Sequence, residues 1–280
     1  MIVTVIAFTS FAGSPGVTTA TFAAAVYWPR PVIVFEAETH NVTSAMAGFF
    51  RSNLRPEVGG LDKVAVAFSR GLLTWQDLIY PACGLAIAVH ELPEIPQTPI
   101  PAIPAQHRMW VVPGFFQLGI VDGVQGLWAR FPSLFRSLSE AGFDVLIDLG
   151  RIDPEDIRLP ILDGADQVLT IASSTMVDLN RMYRRLQLPD LADRLDGVGR
   201  AEKYRLLLTD APAEPIPASS FDKNVMPVLA VLPFDPDGAA VFSLGRPDPK
   251  PQRNSYRQAI RRAVTAIDEH STSDLDRKAV

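Results

Sequence analysis

Short runs of β-branched and aliphatic residues alternate along this chain with longer stretches whose apolar positions recur at helical spacing. That alternation is the pattern of a mostly parallel sheet whose strands are joined by helices packed on its faces. Strands are expected over residues 2–8, 31–35, 85–89, 109–112, 144–149, 167–172, 204–208 and 227–232. Helices are expected over 18–27, 122–141 with an interruption near Pro132, 176–186 and 254–269. The stretch 42–81 reads as largely helical, broken at Arg55-Pro56 and Gly59-Gly60. Residues 144–149 carry the strongest buried-strand signal in the chain. The expected fold is α/β, a mostly parallel twisted sheet of about seven to eight strands flanked by helices. One domain over 1–270 is expected, with a polar tail at 271–280 that frays.

Three segments stand out from this pattern. Prolines at 93, 96, 99, 101 and 104 within 90–107 forbid helix or central strand and favour an extended, polyproline-like loop, either a plain connection or a partner-recognition segment. Tyr256, Ile260, Val264 and Ile267 form an apolar stripe beside Arg257, Arg261 and Arg262. As part of the last helix the stripe reads as a core-packing face, with a membrane-surface anchor as the alternative. Arg181, Arg184 and Arg185 share much of one helix face near Arg194, either as a solvated surface or as a contact for DNA.

Composition narrows the choices. With 280 residues, 48% hydrophobic and 20% charged, the chain has ample material for a core. A net charge of −5 argues against non-specific nucleic-acid binding. Cys83 is the single cysteine, so no disulfide within the chain is possible, which fits a reducing cytoplasm. The four histidines, His40, His90, His107 and His270, show no metal-ligand spacing. No run approaches the ~18–20 apolar residues that span a bilayer, so the expected protein is soluble or at most peripheral to a membrane.

The candidate chemistry begins after the first strand, where Ala12-Gly13-Ser14-Pro15-Gly16-Val17-Thr18-Thr19 leads into a helix. Unpaired N–H groups and the dipole at a helix start make such a junction a phosphate site. Gly13 and Gly16 permit close approach of the backbone, and Thr18 has the place of the hydroxyl that holds Mg2+ in P-loop proteins. The ordinary pattern GxxxxGK(S/T) is not met, because Phe11 stands at the first glycine and Val17 at the lysine.

This segment resembles the deviant phosphate loop of ParA/MinD-type ATPases, Lys-Gly-Gly-x-Gly-Lys followed by two Ser/Thr. Gly13, Gly16, Thr18 and Thr19 match, while Ala12 and Val17 replace the two lysines and Ser14 a glycine. Two other stretches are similar to family landmarks. Glu36-Ala37-Glu38 stands where the family has Asp-x-Asp at switch I, and Phe143 to Gly150 resembles a Walker B strand ending in Asp148 and a switch II glycine. The resemblance implies that Glu38 orients an attacking water and that Asp148 acts with Thr18 at Mg2+. It further implies that Gly13, Ser14, Gly16, Val17, Thr18 and Thr19 hold phosphates. Pro233 and Asp235 would border the adenine, with Thr209 or Asp210 at the position of the base-reading asparagine. Arg151 either replaces part of the lost lysine charge or pairs with Asp153 or Glu155.

Members of this family dimerise around ATP and bind DNA or a membrane. A TadZ/CpaE branch marks the place of pilus or secretion machinery. The loop, together with Trp28-Pro29-Arg30-Pro31 and Asp148-Leu149-Gly150-Arg151, looks most like actinobacterial MinD-like proteins of pilus-type loci. The expectation is therefore a homodimeric positioning or scaffold protein for a membrane-linked assembly. It would bind ATP or ADP with Mg2+ weakly and hydrolyse ATP weakly or not at all, since phosphoryl transfer relies on the missing charges. A DNA-binding partition protein and an active ATPase with a rearranged site are the alternatives.

Overall fold

The computed structural model describes residues 4–13, 16–51, 54, 59–92, 104, 106–188 and 200–278. In chain order the strands are β1 (Val5–Ser10), β2 (Val32–Glu36), β3 (Ile87–Ala88), β4 (Met109–Val112), β5 (Asp144–Arg151), β6 (Gln167–Ser173), β7 (Tyr204–Thr209) and β8 (Val228–Leu232). The helices are α1 (Val17–Val26), α2 (Ser44–Ala47), α3 (Leu61–Ser69), α4 (Trp75–Ile79), α5 (Gln125–Glu140), α6 (Leu159–Gly164), α7 (Met176–Arg185), α8 (Arg200–Lys203), α9 (Ala218–Asn224), α10 (Pro236–Ser243) and α11 (Ser255–Lys278). One eight-stranded sheet runs β3-β4-β2-β5-β1-β6-β7-β8. Every pairing is parallel except β3 with β4.

Alternate residues of each strand feed two separate cores, as the pleat requires. Val5, Ala7, Ile33, Phe35, Val145 and Ile147 face the layer of α3 to α7 and α9. There Phe35 meets Phe131 and Phe135, and the last two stack at 5.0 Å. Ile6, Phe8, Val32, Val34, Leu146 and Leu169 face α1, α2, α10 and α11. Strands covered on both faces read as continuous apolar runs, which is why β1, β2 and β5 were legible from sequence. α1 is alanine-rich and buried along nearly its whole length, so it lies close on the middle of the sheet.

The N-terminal edge of the sheet is pinned by buried Asp144. It accepts from Thr4 N at 2.6 Å, Trp28 Nε1 at 2.7 Å and Arg30 Nε at 2.6 Å. The Trp28-Pro-Arg-Pro signature is therefore a structural tie.

Some expectations need correction. α5 runs unbroken through Pro132. Phe131, Leu134 and Phe135 anchor the helix on either side, and Gly164 of α6 leaves the room that the ring occupies. Among the described residues between 42 and 81 the α-helices are α2, α3 and α4, with loop between them. The predicted strand 85–89 shrinks to the two residues of β3. α11 continues to Lys278 instead of ending near 269, and Ser271 Oγ accepts from Gln167 Nε2 at 2.8 Å while donating to the Ile267 carbonyl. Its apolar stripe is buried in the core, as the packing reading expected. Most of the proline-rich loop, 93–103 and 105, lies outside the described residues.

Candidate functional site

Parallel strands present their C-terminal ends on one side of the sheet, where crossovers in opposite directions leave a crevice for ligands. β1 lies between β5 and β6, and the loop after it enters α1 at this edge. Gly16 caps α1 with φ +81°, a left-handed conformation that strains other residues. It has no side chain to cap the helix, and the first turn contains no acidic residue. Among the described residues no side chain caps the first turn of α1, so its N–H groups can meet an external acceptor. Ser14 and Pro15 lie outside the described residues, and Gly13 has open space where a Cβ would stand.

A cavity of about 290 Å³ opens at this helix start, lined by Gly16, Val17, Thr18 and Thr19 with Glu38 and Gly150 among its other walls. Of the candidate phosphate-binding residues within the description, all but Gly13 line it. Sequence reasoning missed Phe22, Asn41, Ser44, Ala45, Phe49, Phe242 and Ser243, which complete the wall. No local motif marks them, because α2 and α10 reach the cavity only through tertiary packing. No lysine or arginine lines the cavity among the described residues. Val17, at the lysine position, is the first residue of α1 and is buried in the core on that face of the sheet, and Ala12, at the other lysine position, is buried against the opposite face.

The carboxylates divide into distinct roles. Glu36 is wholly buried and accepts from Thr43 Oγ1, Ser44 N at 2.5 Å, Ala45 N at 3.0 Å and Gly114 N at 2.8 Å. Burial still pushes its carboxyl up, against those donors. It staples the start of α2 to the end of β4 and does not line the cavity. Glu38 does. Its Oε1 accepts from His40 N at 2.7 Å and pairs with His40 Nδ1 at 2.8 Å. Its Oε2 lies only 1.7 Å from where a Cβ on Gly150 would be, so the carboxylate rests on that glycine.

Asp148 is buried behind the loop, in register with Glu36 and Phe8. Its Oδ1 accepts from Gly150 N at 2.9 Å, whereas among the described residues Oδ2 has no partner within hydrogen-bond geometry. Burial pushes the Asp148 carboxyl up to about 7. The Thr18 hydroxyl and the Gly150 N–H favour its ionised form, and the Glu36 and Glu38 carboxylates oppose it. Thr18 lines the cavity while Asp148 does not, so a hydroxyl and a carboxylate of the kind that hold a hydrated Mg2+ ion stand one behind the other at this edge.

The remaining candidates are elsewhere. Arg151 points to solvent and pairs with Asp153 at 3.3 Å. Thr209 ends β7, where its carbonyl accepts from Ser174 N at 2.8 Å. Asp235 caps α10 by accepting from Gly238 N at 2.9 Å, and its other oxygen takes Ser255 Oγ at 2.6 Å and Tyr256 N at the start of α11. The Ser255 hydroxyl and these N–H groups hold its carboxyl below the usual range. Thr209, Pro233 and Asp235 are not among the residues lining the cavity.

A parallel sheet with a glycine-bent loop feeding an uncapped central helix defines a P-loop type of α/β protein. Comparison with solved structures gives it a more particular fold. MinD of Pyrococcus horikoshii complexed with Mg-ADP is 16% identical, with 95% of this chain and 96% of that chain covered at a TM-score of 0.65. The cell division ATPase MinD of Pyrococcus furiosus is 17% identical, with 96% and 99% covered at 0.67. A ParA family ATPase of Chlorobium tepidum is 13% identical, with 94% and 98% covered at 0.59. The chain thus has the fold of the MinD and ParA P-loop ATPases. No family model and no curated protein matches the sequence.

Proposed function

We propose that this protein is a MinD/ParA-like positioning or scaffold protein for a membrane-linked assembly of the pilus or secretion type. In this reading it binds nucleotide weakly and hydrolyses it weakly or not at all. One observation carries the reading: the cavity at the start of α1 has a left-handed Gly16 at the helix cap but no cationic side chain on its described wall.

The first-turn N–H groups of α1 would hold phosphate oxygens, with the Thr18 hydroxyl and Asp148 at the metal. Bound Mg2+ would supply positive charge at the phosphates, and with no cation on the described wall it would be the main source of it. Nothing on the described wall adds the focused charge that phosphoryl transfer needs at its developing oxyanions. Glu38 adds negative charge there instead. Such a site favours occupancy as a structural signal over turnover.

A peripheral role is supported by the absence, among the described residues, of any helix long and apolar enough to cross a membrane. The stripe on α11 is already used in the core, so contact with a membrane-linked assembly would run through a protein partner. Homodimerisation would need faces other than the family's lysine, whose place is taken by Ala12. DNA is less well served, because two of the three α7 arginines are engaged: Arg185 with Asp153 at 2.5 Å and Arg181 with Asp178 at 3.8 Å.

Calorimetric titration with ATP, with and without Mg2+, tests the reading alongside sedimentation velocity in both conditions. The reading expects weak, Mg2+-dependent binding and a dimer whose population does not require nucleotide. Tight binding without Mg2+, or a strictly ATP-dependent dimer, would sink it.

A further inference from the structure

Arg158 is an arginine at the threshold of a short apolar helix, and it is wholly buried. Such burial is costly unless every donor is satisfied. All five N–H donors are. Nε and Nη2 grip Asp156 at 2.8 and 2.6 Å, Nη1 donates to the carbonyls of Ala37 at 2.8 Å and Leu149 at 2.6 Å, and Nη2 donates to that of Arg151 at 2.8 Å.

The acceptors are specific places. Ala37 immediately precedes Glu38, and its N–H already donates to the Asp148 carbonyl at 2.7 Å. Leu149 and Arg151 flank Gly150, the glycine on which the Glu38 carboxylate rests, held at φ +56°. Gly150 N in turn fixes Asp148 Oδ1. One planar guanidinium therefore ties the tip of β2 to the tip of β5.

We propose that Arg158, oriented by Asp156, is the positioning residue of this site, locking the Glu38 loop and the Gly150 loop into one unit. The functional half of the proposal rests on the nucleotide reading above; the mechanical half does not. Lysine cannot replace it. Its three donors radiate from a single nitrogen, whereas the four acceptor groups here lie around a flat five-donor fork.

The test uses the full chain as wild type, Arg158→Lys and Asp156→Asn, each checked for folding by circular dichroism. Native-state hydrogen exchange is read at the amides of Ala37 and His40 on one loop and Gly150 and Ile152 on the other. In Arg158→Lys both sets should exchange at least tenfold faster, together, while the amides of α1 and β6 keep wild-type protection. Asp156→Asn should show a smaller change at the same amides, and it carries the test if the lysine variant does not fold. Unchanged protection at the two loops, or faster exchange spread evenly over β6 and β7, would overturn the proposal.

Binding of a fluorescent ATP analogue supplies the second readout. Arg158→Lys should lose about tenfold of the affinity measured with Mg2+ and none of that measured without it. A purely structural role would lower both equally, and that result would also overturn the proposal. If wild type bound no nucleotide at all, the function proposed above would fail, while the exchange result would still decide the role of Arg158.

Discussion

Replacing Asp148 by asparagine separates what this residue costs the fold from what it offers a ligand. The carboxyl is buried, its Oδ2 lacks a partner among the described residues, and burial pushes it from 3.8 up to about 7. An acid whose folded-state pKa lies above its unfolded value holds its proton more tightly when folded. Its contribution to stability is present below about pH 4 and is lost as pH rises through 7. Three pKa units at 1.36 kcal/mol each set a ceiling of about 4 kcal/mol for the loss above neutrality. Asparagine is nearly isosteric, still accepts from Gly150 N, and cannot ionise. Asp148→Asn should therefore gain on wild type as pH rises, by about 3 kcal/mol between pH 5 and pH 8. That corresponds to roughly 6 °C in melting temperature for a domain of this size. Urea unfolding of both proteins at pH 5, 6.5 and 8, without nucleotide or divalent cation, measures it. A stability difference that stays constant with pH, or an asparagine variant that loses ground at pH 8, would refute the reasoning. The buried acid would then be solvated or paired in a way the geometry does not show.

Other outcomes follow from the same structure. Gly150→Ala places a methyl on the Glu38 carboxylate and forces alanine into a left-handed conformation, so about 1–2 kcal/mol should be lost in urea unfolding. Mg2+-dependent nucleotide binding should weaken with it. Asp235→Ala uncaps α10 and releases the start of α11, costing about 1–2 kcal/mol at pH 7. Because its carboxyl is held below the usual range, this contribution is present above about pH 4 and lost as pH falls, so wild type and variant should converge in acid. Ile260→Ala should cost about 2–5 kcal/mol, as expected for a fully buried core side chain. Neither it nor wild type should float with anionic vesicles; flotation of wild type would reopen the membrane reading of α11.

The strands and the central helix were legible because sheets covered on both faces force continuous apolar runs, as in β1 and β5. The loop before α1 was legible because a glycine-bent turn into a helix start, with Gly16 left-handed, is a local feature. Pro132 misled, since the packing of Phe131 and Phe135 outweighs one lost helical hydrogen bond. The acidic pair at 36 and 38 looked alike in sequence. Only the position of Gly114 and the start of α2 shows that Glu36 is a buried staple, while Glu38 reaches the cavity. Arg158 gave one overlooked signal, an arginine two residues after Asp156 at the head of an apolar helix. Its partners are backbone carbonyls far away in the chain, and no side-chain pattern announces those.

Turnover of ATP by the purified protein, set against Val17→Lys, tests the central claim most directly. With no cationic side chain on the described wall of its cavity, wild type should hydrolyse ATP weakly or not at all. The lysine variant, with charge restored at the start of α1, should bind Mg-ATP more tightly than wild type. Clear wild-type turnover that is abolished by Glu38→Ala or Asp148→Ala would contradict the account and make this chain a working ATPase.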